Sequence, residues 1–434
     1  MFDRLFGRRK PRQRRSNQYS SRASSSSLST RDLTRKHRPD YSLLIIALLL
    51  SVVGLIIVYA ISPGLAATKG VDNNYFVIKQ SIAIGLGLVA FAVFSFLPVN
   101  ALRRSRNVLV GLSLAGALAV LLFGEEINGA ARWIQVGGLS FQIAEMIKFA
   151  LIIWLSAFLV ERMQKGEMED NRKTLKPLLI VMLIISIIVA GVQSDLGSTG
   201  VMIAIIGILA LTSGLPLKRL SIIAAIVVVG TLLAVSTSSY RRDRVATFLN
   251  PQSDCQASGY QSCQALIAVG SGGMFGLGLG NGVQAYGYLP EAANDSIFAI
   301  LAEKFGFVGV SMVLGLYVLL FSRFKRIIER TRDSFSRLFV TGVLAWLSTQ
   351  AIINIGAMIG VLPLKGITLP FISYGGTSIL FVMAALGVVF HISRYTSFEP
   401  IRSAKSKTKE KTYDDRPMRR RVGRPYYAAP SRRG

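Results

Sequence analysis

The carboxylate of Asp295 closes the segment Tyr286-Gly-Tyr-Leu-Pro-Glu-Ala-Ala-Asn-Asp and is followed at once by an apolar run. Upstream, Tyr240-Arg-Arg-Asp-Arg supplies Arg241 and Arg244, and a glycine-rich passage runs through Gly276-Leu-Gly-Leu-Gly-Asn. A carboxylate can take a proton from a hydroxyl nucleophile, and guanidinium groups can grip phosphate oxygens. The combination suits chemistry on a pyrophosphate-bearing substrate. The local pattern also allows Asp295 to be the N-cap of the helix that follows. The glycines predict tight turns and close backbone approach to a ligand. No strand–helix unit surrounds them, so they are not a nucleotide fingerprint.

Three other polar clusters interrupt apolar sequence. Asn128-Gly-Ala-Ala-Arg-Trp-Ile-Gln precedes Ser140-Phe-Gln-Ile-Ala-Glu-Met-Ile-Lys. Glu145 and Lys148 are three residues apart, share a helix face and can pair. That pair reads either as a structural device or as a functional one. Arg132 has no evident partner in the sequence and suits a phosphate contact, whereas Trp133 reads as an interface anchor. Asp195, in Gln193-Ser-Asp-Leu-Gly-Ser, is a candidate N-cap or a functional acid. The stretch 360–378 holds Pro363, Pro370 and several glycines, predicting a rigid shaped turn; Lys365 is its one charge and Ser373 lies within it.

The elements that must position these residues are membrane helices. Of 434 residues 51% are hydrophobic, and apolar runs long enough to cross a bilayer recur at 42–62, 76–97, 107–123, 143–160, 176–192, 197–213, 219–236, 297–322, 337–361 and 376–393. The prediction is an all-α polytopic membrane protein of about ten spans (residues 41–395), with a long extracytoplasmic loop before the eighth. The alternating pattern of barrel strands is missing. Basic tails flank this domain at 1–40 and 396–434; both are expected to be disordered, and no cleavable signal peptide is expected. Arg103, Arg104, Arg106, Arg162, Lys165, Lys218, Arg219, Arg323 and Arg326 fall in alternate loops. The positive-inside rule therefore puts both termini in the cytoplasm and the loop at 236–295 outside.

The net charge of +27 is concentrated in the tails. It reads as an orientation signal and an attraction to anionic lipid rather than as nucleic-acid binding. Cys255 and Cys263 both lie in the outer loop, where a disulfide can persist, although free thiols remain open. The only histidines are His37 and His391, both expected on the inner side, which argues against a histidine metal site.

These segments, in this order, resemble the SEDS family of bacterial cell-wall polymerases, whose members include FtsW, RodA and SpoVE. The likeness covers roughly residues 42–395. The family's Asn-Gly-Ala-Arg-Arg-Trp-Ile is similar to 128–134, Gln-Pro-Asp-Leu-Gly to 193–197, and Gly-Tyr-Leu-Pro-Glu-Ala-His-Thr-Asp to 287–295. Leu-Pro-Phe-Ile-Ser-Tyr-Gly-Gly matches 369–376 without change. Gly278-Leu-Gly-Asn and Tyr288-Leu-Pro-Glu-Ala, which includes Glu291, look more like the division-type branch than the elongation-type one. Departures are Ala131 for Arg, Ile143-Ala144 for Pro-Ser, Ser194 for Pro, Ala293-Asn294 for His-Thr, Ser296 for Phe and Lys304 for Glu.

The resemblance implies a peptidoglycan glycosyltransferase that polymerises lipid II outside the membrane and releases undecaprenyl pyrophosphate. Asp295 is then the candidate base. Arg132, Arg241, Arg244 and Lys365 are candidate pyrophosphate ligands, and a divalent cation, Mg or Mn, held partly by Asp295 is an alternative. No organic cofactor is implied. Implied partners are lipid II and undecaprenyl-linked glycan, a class B penicillin-binding transpeptidase and division-complex proteins. An elongation-type polymerase, a lipid II flippase and a non-catalytic division scaffold are the competing readings.

Overall fold

The computed structural model describes residues 38–127, 130–136, 139–237, 239–249, 255–257 and 259–396. The two tails therefore lie outside the described residues, apart from Arg38–Asp40 and Thr396. Helices α1 (Tyr41–Lys69), α2 (Tyr75–Phe96), the short α3 (Val99–Arg104) and α4 (Arg106–Phe123) lead to strands β1 (Glu125–Ile127), β2 (Ala130–Val136) and β3 (Leu139–Gln142). Then follow α5 (Ile143–Gln164), α6 (Asn171–Val192, with π-helical turns at both ends), α7 (Leu196–Thr212) and α8 (Leu217–Ser236). The chain continues through α9 (Ser239–Leu249), α10 (Tyr260–Ser271), α11 (Ile297–Arg330), α12 (Ser334–Met358) and α13 (Gly376–Ser393).

Each of the ten apolar runs coincides with a helix. Among the described residues, eight helices are long and apolar enough to span a membrane; α7 is apolar but shorter at 17 residues, and α8, at 20 residues, is outside the eight. In α2, α4, α6 and α8, Val89, Leu122, Leu183 and Leu232 are exposed. In water such a surface would aggregate; in a bilayer it is the lipid-facing belt. α5, α12 and α13 are the most enclosed spans. Lipid is as apolar as leucine, so contact between spans depends on close packing rather than on expelling water. Gly54 of α1 illustrates this: a Cβ there would collide with the Ile372 carbonyl oxygen.

Two features depart from the sequence expectation. The first is a three-stranded antiparallel sheet between α4 and α5, with Trp133 opposite Gln142 and Ile134 opposite Phe141. The second is the loop at 236–295, which is largely structured. It contains α9, α10 and a π-helical turn at Gln284–Tyr288, and a Cys255–Cys263 disulfide, Cα–Cα 5.6 Å, anchors it to α10.

The glycine-rich passage docks on the chain itself. α11 is broken at Gly306, whose φ of 62° and ψ of −165° are not helical. A helix break frees backbone groups, which must find partners when water is excluded. Here Leu277 N donates to Glu303 O (2.9 Å), Gly278 N to Lys304 O (3.0 Å), Phe307 N to Gly273 O (2.9 Å) and Val308 N to Met274 O (3.1 Å). A Cβ on Gly306 would collide with the backbone nitrogen of Gly276. At Gly272, Gly276 and Gly306 the close approach is thus between this passage and α11.

Candidate functional site

Asp295 sits half-buried just ahead of α11. It is not the N-cap: Ser296 holds that position and makes no side-chain capping bond. Instead, three consecutive carbonyls are tied to α12 and the turn that follows it. Tyr374 N donates to Ala293 O (2.9 Å), Ser373 Oγ to Asn294 O (2.7 Å) and Asn354 Nδ2 to Asp295 O (2.7 Å). Asn354 Nδ2 also donates to Ile367 O (2.7 Å), so one amide joins both segments. Ser373 Oγ in turn accepts from Leu369 N (2.7 Å), and Gln80 Nε2 donates to Ser373 O (3.3 Å). The upstream turn is closed by Glu291, whose carbonyl accepts from Asn294 N and Ser296 N and whose carboxylate accepts from Asn294 Nδ2. Glu291 and Phe371 hold positive φ, 51° and 67°. Such strain persists only where neighbours fix it.

Arg132 reaches the same place from β2. Its Nε donates to Gln193 O (2.9 Å) and Nη2 to Ser194 O (2.8 Å). Asp195, buried, caps α7 by accepting from Ser198 N (2.9 Å). The guanidinium thus clasps the turn that Asp195 terminates, and its partners are backbone carbonyls. A methyl group on Gly366 would stand 3.4 Å from Asp295 Oδ2 and 3.8 Å from Arg132 Nη1. The carboxylate and the guanidinium therefore border one glycine, and Lys365 is the next residue.

Not every predicted residue converges here. Arg241 and Arg244 lie on α9, but their side chains are outside the described residues. Glu145 and Lys148 form an ion pair of 2.7 Å inside the bundle, with relative exposures of 2% and 1%. Lys148 Nζ lies 5.8 Å from the centre of the Trp346 ring on α12, about two helical turns before Asn354. Glu145 Oε2 has no hydrogen-bond partner among the described residues. Removing one member of such a pair strands the other charge, a cost of about 3–5 kcal/mol. Lys304, where the resemblance expects Glu, is buried and donates to Leu279 O (2.9 Å); Glu303 Oε1 accepts from Val283 N (2.9 Å) and Gln284 N (3.0 Å). These two neighbours stabilise the glycine-rich clasp.

Asn354 and Gln80 are contributors that sequence reading passes over. Both are polar side chains buried within apolar spans, the signal by which intramembrane functional residues are recognised. Tyr374 adds a hydroxyl-bearing ring, packed edge-on against Phe76 at 5.6 Å. Burial, and then the neighbouring Tyr75, push its phenol up to about 12. It stays protonated at neutral pH and can donate a hydrogen bond but not serve as a base. Among the described residues no group of three His, Cys, Asp or Glu could hold a metal ion.

The comparisons agree with this architecture. The family model FTSW_RODA_SPOVE, described as cell cycle protein, matches residues 40–398. The probable peptidoglycan glycosyltransferase FtsW of Coxiella burnetii is 38% identical over 363 residues, covering 82% of this chain and 96% of that protein. Stage V sporulation protein E of Bacillus subtilis is 36% identical over 367 residues, covering 84% of this chain and 100% of that one. Among solved structures, a chain from a peptidoglycan synthase complex, studied for the coordination of polymerization and crosslinking, superposes with a TM-score of 0.68 at 28% identity, covering 82% of this chain and 98% of that one. The rod shape determining protein RodA of Thermus thermophilus gives 0.58 at 27% identity, covering 82% and 97%. A family match over most of the chain, with relatives above one-third identity at nearly full length, means that the chain belongs to the FTSW_RODA_SPOVE family of cell cycle proteins.

Proposed function

We propose that this site polymerises lipid II into glycan strands, with Asp295 as general base and Arg132 and Lys365 as cations for the pyrophosphate. The carrying observation is that Asp295 Oδ2 and Arg132 Nη1 border the same glycine, Gly366. A base and a cation at that spacing can act on the two ends of one displacement. The 4-hydroxyl of the acceptor GlcNAc gives its proton to the Asp295 carboxylate while its oxygen attacks C1 of the donor MurNAc. The bond from C1 to the pyrophosphate oxygen breaks, a β-1,4 bond forms, and undecaprenyl pyrophosphate leaves. Positive charge fixed beforehand stabilises negative charge building on the leaving group, and fixed dipoles need no reorganisation during the step. Asn354, Ser373 and Tyr374 are positioning residues, since they bond the backbone of 293–295 rather than the reacting atoms. Arg241 and Arg244 remain candidate phosphate ligands on α9.

Among the described residues the site brings no cluster of three His, Cys, Asp or Glu side chains together, too few for a resident metal centre. A Mg or Mn ion, if used, would be held on this chain by Asp295 and would supply further charge neutralisation at the phosphates.

Orientation supports an outer-face reaction. Arg38–Asp40 and Thr396 meet at one end of the bundle, where Asp40 N donates to Ser393 Oγ (3.0 Å) and Arg323 lies 4.0 Å from Asp40. Asp295 is at the opposite end of α11. With the basic end in the cytoplasm, the site faces outward, where lipid-linked substrate is used. The relatives named FtsW support a role in division, and the synthase-complex neighbour supports a penicillin-binding transpeptidase as partner.

Purified protein incubated with lipid II and a divalent cation, with a co-purified transpeptidase, should yield a glycan ladder that Asp295→Ala abolishes. Translocation of lipid II across vesicles with no polymer formed would overturn this reading in favour of transport.

A further inference from the structure

Two lysines beside the site face aromatic rings instead of carboxylates. Lys69 closes α1 and Lys79 lies one turn into α2. Lys79 Nζ is 4.4 Å from the centre of the Tyr75 ring, and Lys69 Nζ is 5.5 Å from that of Phe76. These two rings are 5.3 Å apart, and Phe76 meets Tyr374 at 5.6 Å. Tyr374 N donates to Ala293 O, two residues before Asp295. Ring contacts thus run without a gap from the two ammonium groups to the backbone that carries the candidate base. A ring face attracts an ammonium through its quadrupole but does not neutralise it. Among the described residues neither lysine forms an ion pair, not even with Asp72 in the turn between them, and the Tyr374 hydroxyl has no hydrogen-bond partner.

The displacement involves two pyrophosphates, and the cations discussed so far serve one of them. The donor's pyrophosphate leaves, and Arg132 and Lys365 are the cations proposed for it. The acceptor's pyrophosphate stays on its own MurNAc, one disaccharide away from the hydroxyl that attacks. Two such anions repel each other, so the second needs cations of its own. Lysine binds phosphate as a point charge, with three donors that turn to suit the oxygens. The sequence of α2 also points to a ligand with a lipid tail. Tyr75, Lys79, Ile82, Leu86, Val89 and Val93 recur at spacings of four and three, so they form one stripe along the helix. The last four are exposed. A prenyl chain attached to a phosphate at Lys79 therefore has an apolar surface to follow into the bilayer.

We propose that Lys69 and Lys79, with the Tyr374 hydroxyl as a further donor, hold the pyrophosphate of the acceptor lipid II. The identity of the ligand rests on the polymerase reading; the placement of the two lysines does not depend on Asp295 being the base.

The test first counts bound lipids and then follows growth. Full-length Asp295→Asn in neutral detergent is offered lipid II and read by native mass spectrometry. Two lipid II molecules should bind per chain, and adding Lys69→Gln/Lys79→Gln should leave one. Dioleoyl phosphatidylglycerol or inorganic pyrophosphate at the same concentration should not displace the second molecule. In the protein with Asp295 intact and a co-purified transpeptidase, growth from a preformed lipid-linked glycan is then followed as lipid II is varied. The double variant should raise the KM for lipid II on the order of tenfold and keep kcat within about twofold. Lys79→Arg keeps the charge and should stay within about threefold of the wild-type KM. A merely structural role would instead lower kcat or the melting midpoint. If the double variant does not purify as a single species, Lys79→Gln alone decides the matter, with a KM raised about threefold. One lipid II bound before the lysines are changed, two bound after, or an unchanged KM would overturn the proposal. Displacement by phosphatidylglycerol would overturn it in favour of an ordinary headgroup site, and displacement by pyrophosphate in favour of a soluble anion. Loss of the second lipid II in the double variant, in a protein that grows no glycan, would uphold this site and fail the polymerase reading alone.

Discussion

Two segments pack against the start of α11, and they do so by different chemistry. The glycine-rich segment from 272 to 288 meets the break at Gly306 chiefly by backbone against backbone, with the Glu303 and Lys304 side chains of α11 holding its later residues. The turn from 359 to 375, with Asn354 of α12 beside it, adds side chains to one backbone bond from Tyr374 N: Asn354 and Ser373 donate to the carbonyls of Asp295 and Asn294. In the first, a Cβ on Gly272, Gly276 or Gly306 would collide with facing backbone; in the second, Asp295 Oδ2 and Arg132 Nη1 both border Gly366. Glycine richness therefore reports that something comes close, without saying what. Here it is the protein's own helix. Substitutions in the first segment should act on stability, and those in the second on turnover.

The largest stability effect should come from Gly306→Ala. It places a Cβ against the Gly276 backbone at a positive φ, so a loss of about 3 kcal/mol or more is expected. Thermal unfolding in detergent would report it, and an unchanged midpoint would break the distinction between clasp and site. Asn354→Leu should cost less, about 1–3 kcal/mol for carbonyls left without their donor. Its effect on turnover should be greater, roughly tenfold to hundredfold, because the Asp295 backbone loses its anchor. A variant that melts early yet polymerises normally would reverse the roles assigned to the two segments.

A small, pH-dependent effect belongs to neither segment and so serves as a baseline. The half-buried carboxylate of Glu167, between α5 and α6, accepts from Lys173 Nζ and Arg162 Nη1, both at 2.6 Å. The Lys173 hydrogen bond first, and the Arg162 one second, hold its pKa below the ordinary 4.5. A lowered folded pKa means its contribution is fully present above the unfolded value and is lost as pH falls through the folded one. The melting difference between wild type and Glu167→Gln should be constant above about pH 5 and shrink below about pH 4. A difference that grows on acidification would contradict this.

The spans were legible in the sequence because crossing a bilayer demands apolar runs of fixed length, and all ten runs are helices. Asp195 as a cap was also legible, since capping is local. The sheet that carries Arg132 was not: its strands are short, and pairing partners such as Trp133 and Gln142 leave no periodic trace. The partners of Arg132 were equally hidden, because a backbone carbonyl has no residue type. Asn354 could have been found as a buried amide in an apolar span, but its role depends on two carbonyls 59 and 13 residues away. Lys304 departs from the family pattern without an orphaned charge, since Leu279 O accepts from its ammonium and the adjacent Glu303 supplies the opposite charge.

The most direct test measures binding and turnover separately in Asp295→Asn. Labelled lipid II binding and glycan-chain growth would be followed on the same folded preparation beside wild type. The account predicts binding within about threefold of wild type and chain growth reduced on the order of 10²- to 10⁴-fold, the scale of a lost general base. Chain growth at the wild-type rate would contradict it, as would equal losses of binding and growth.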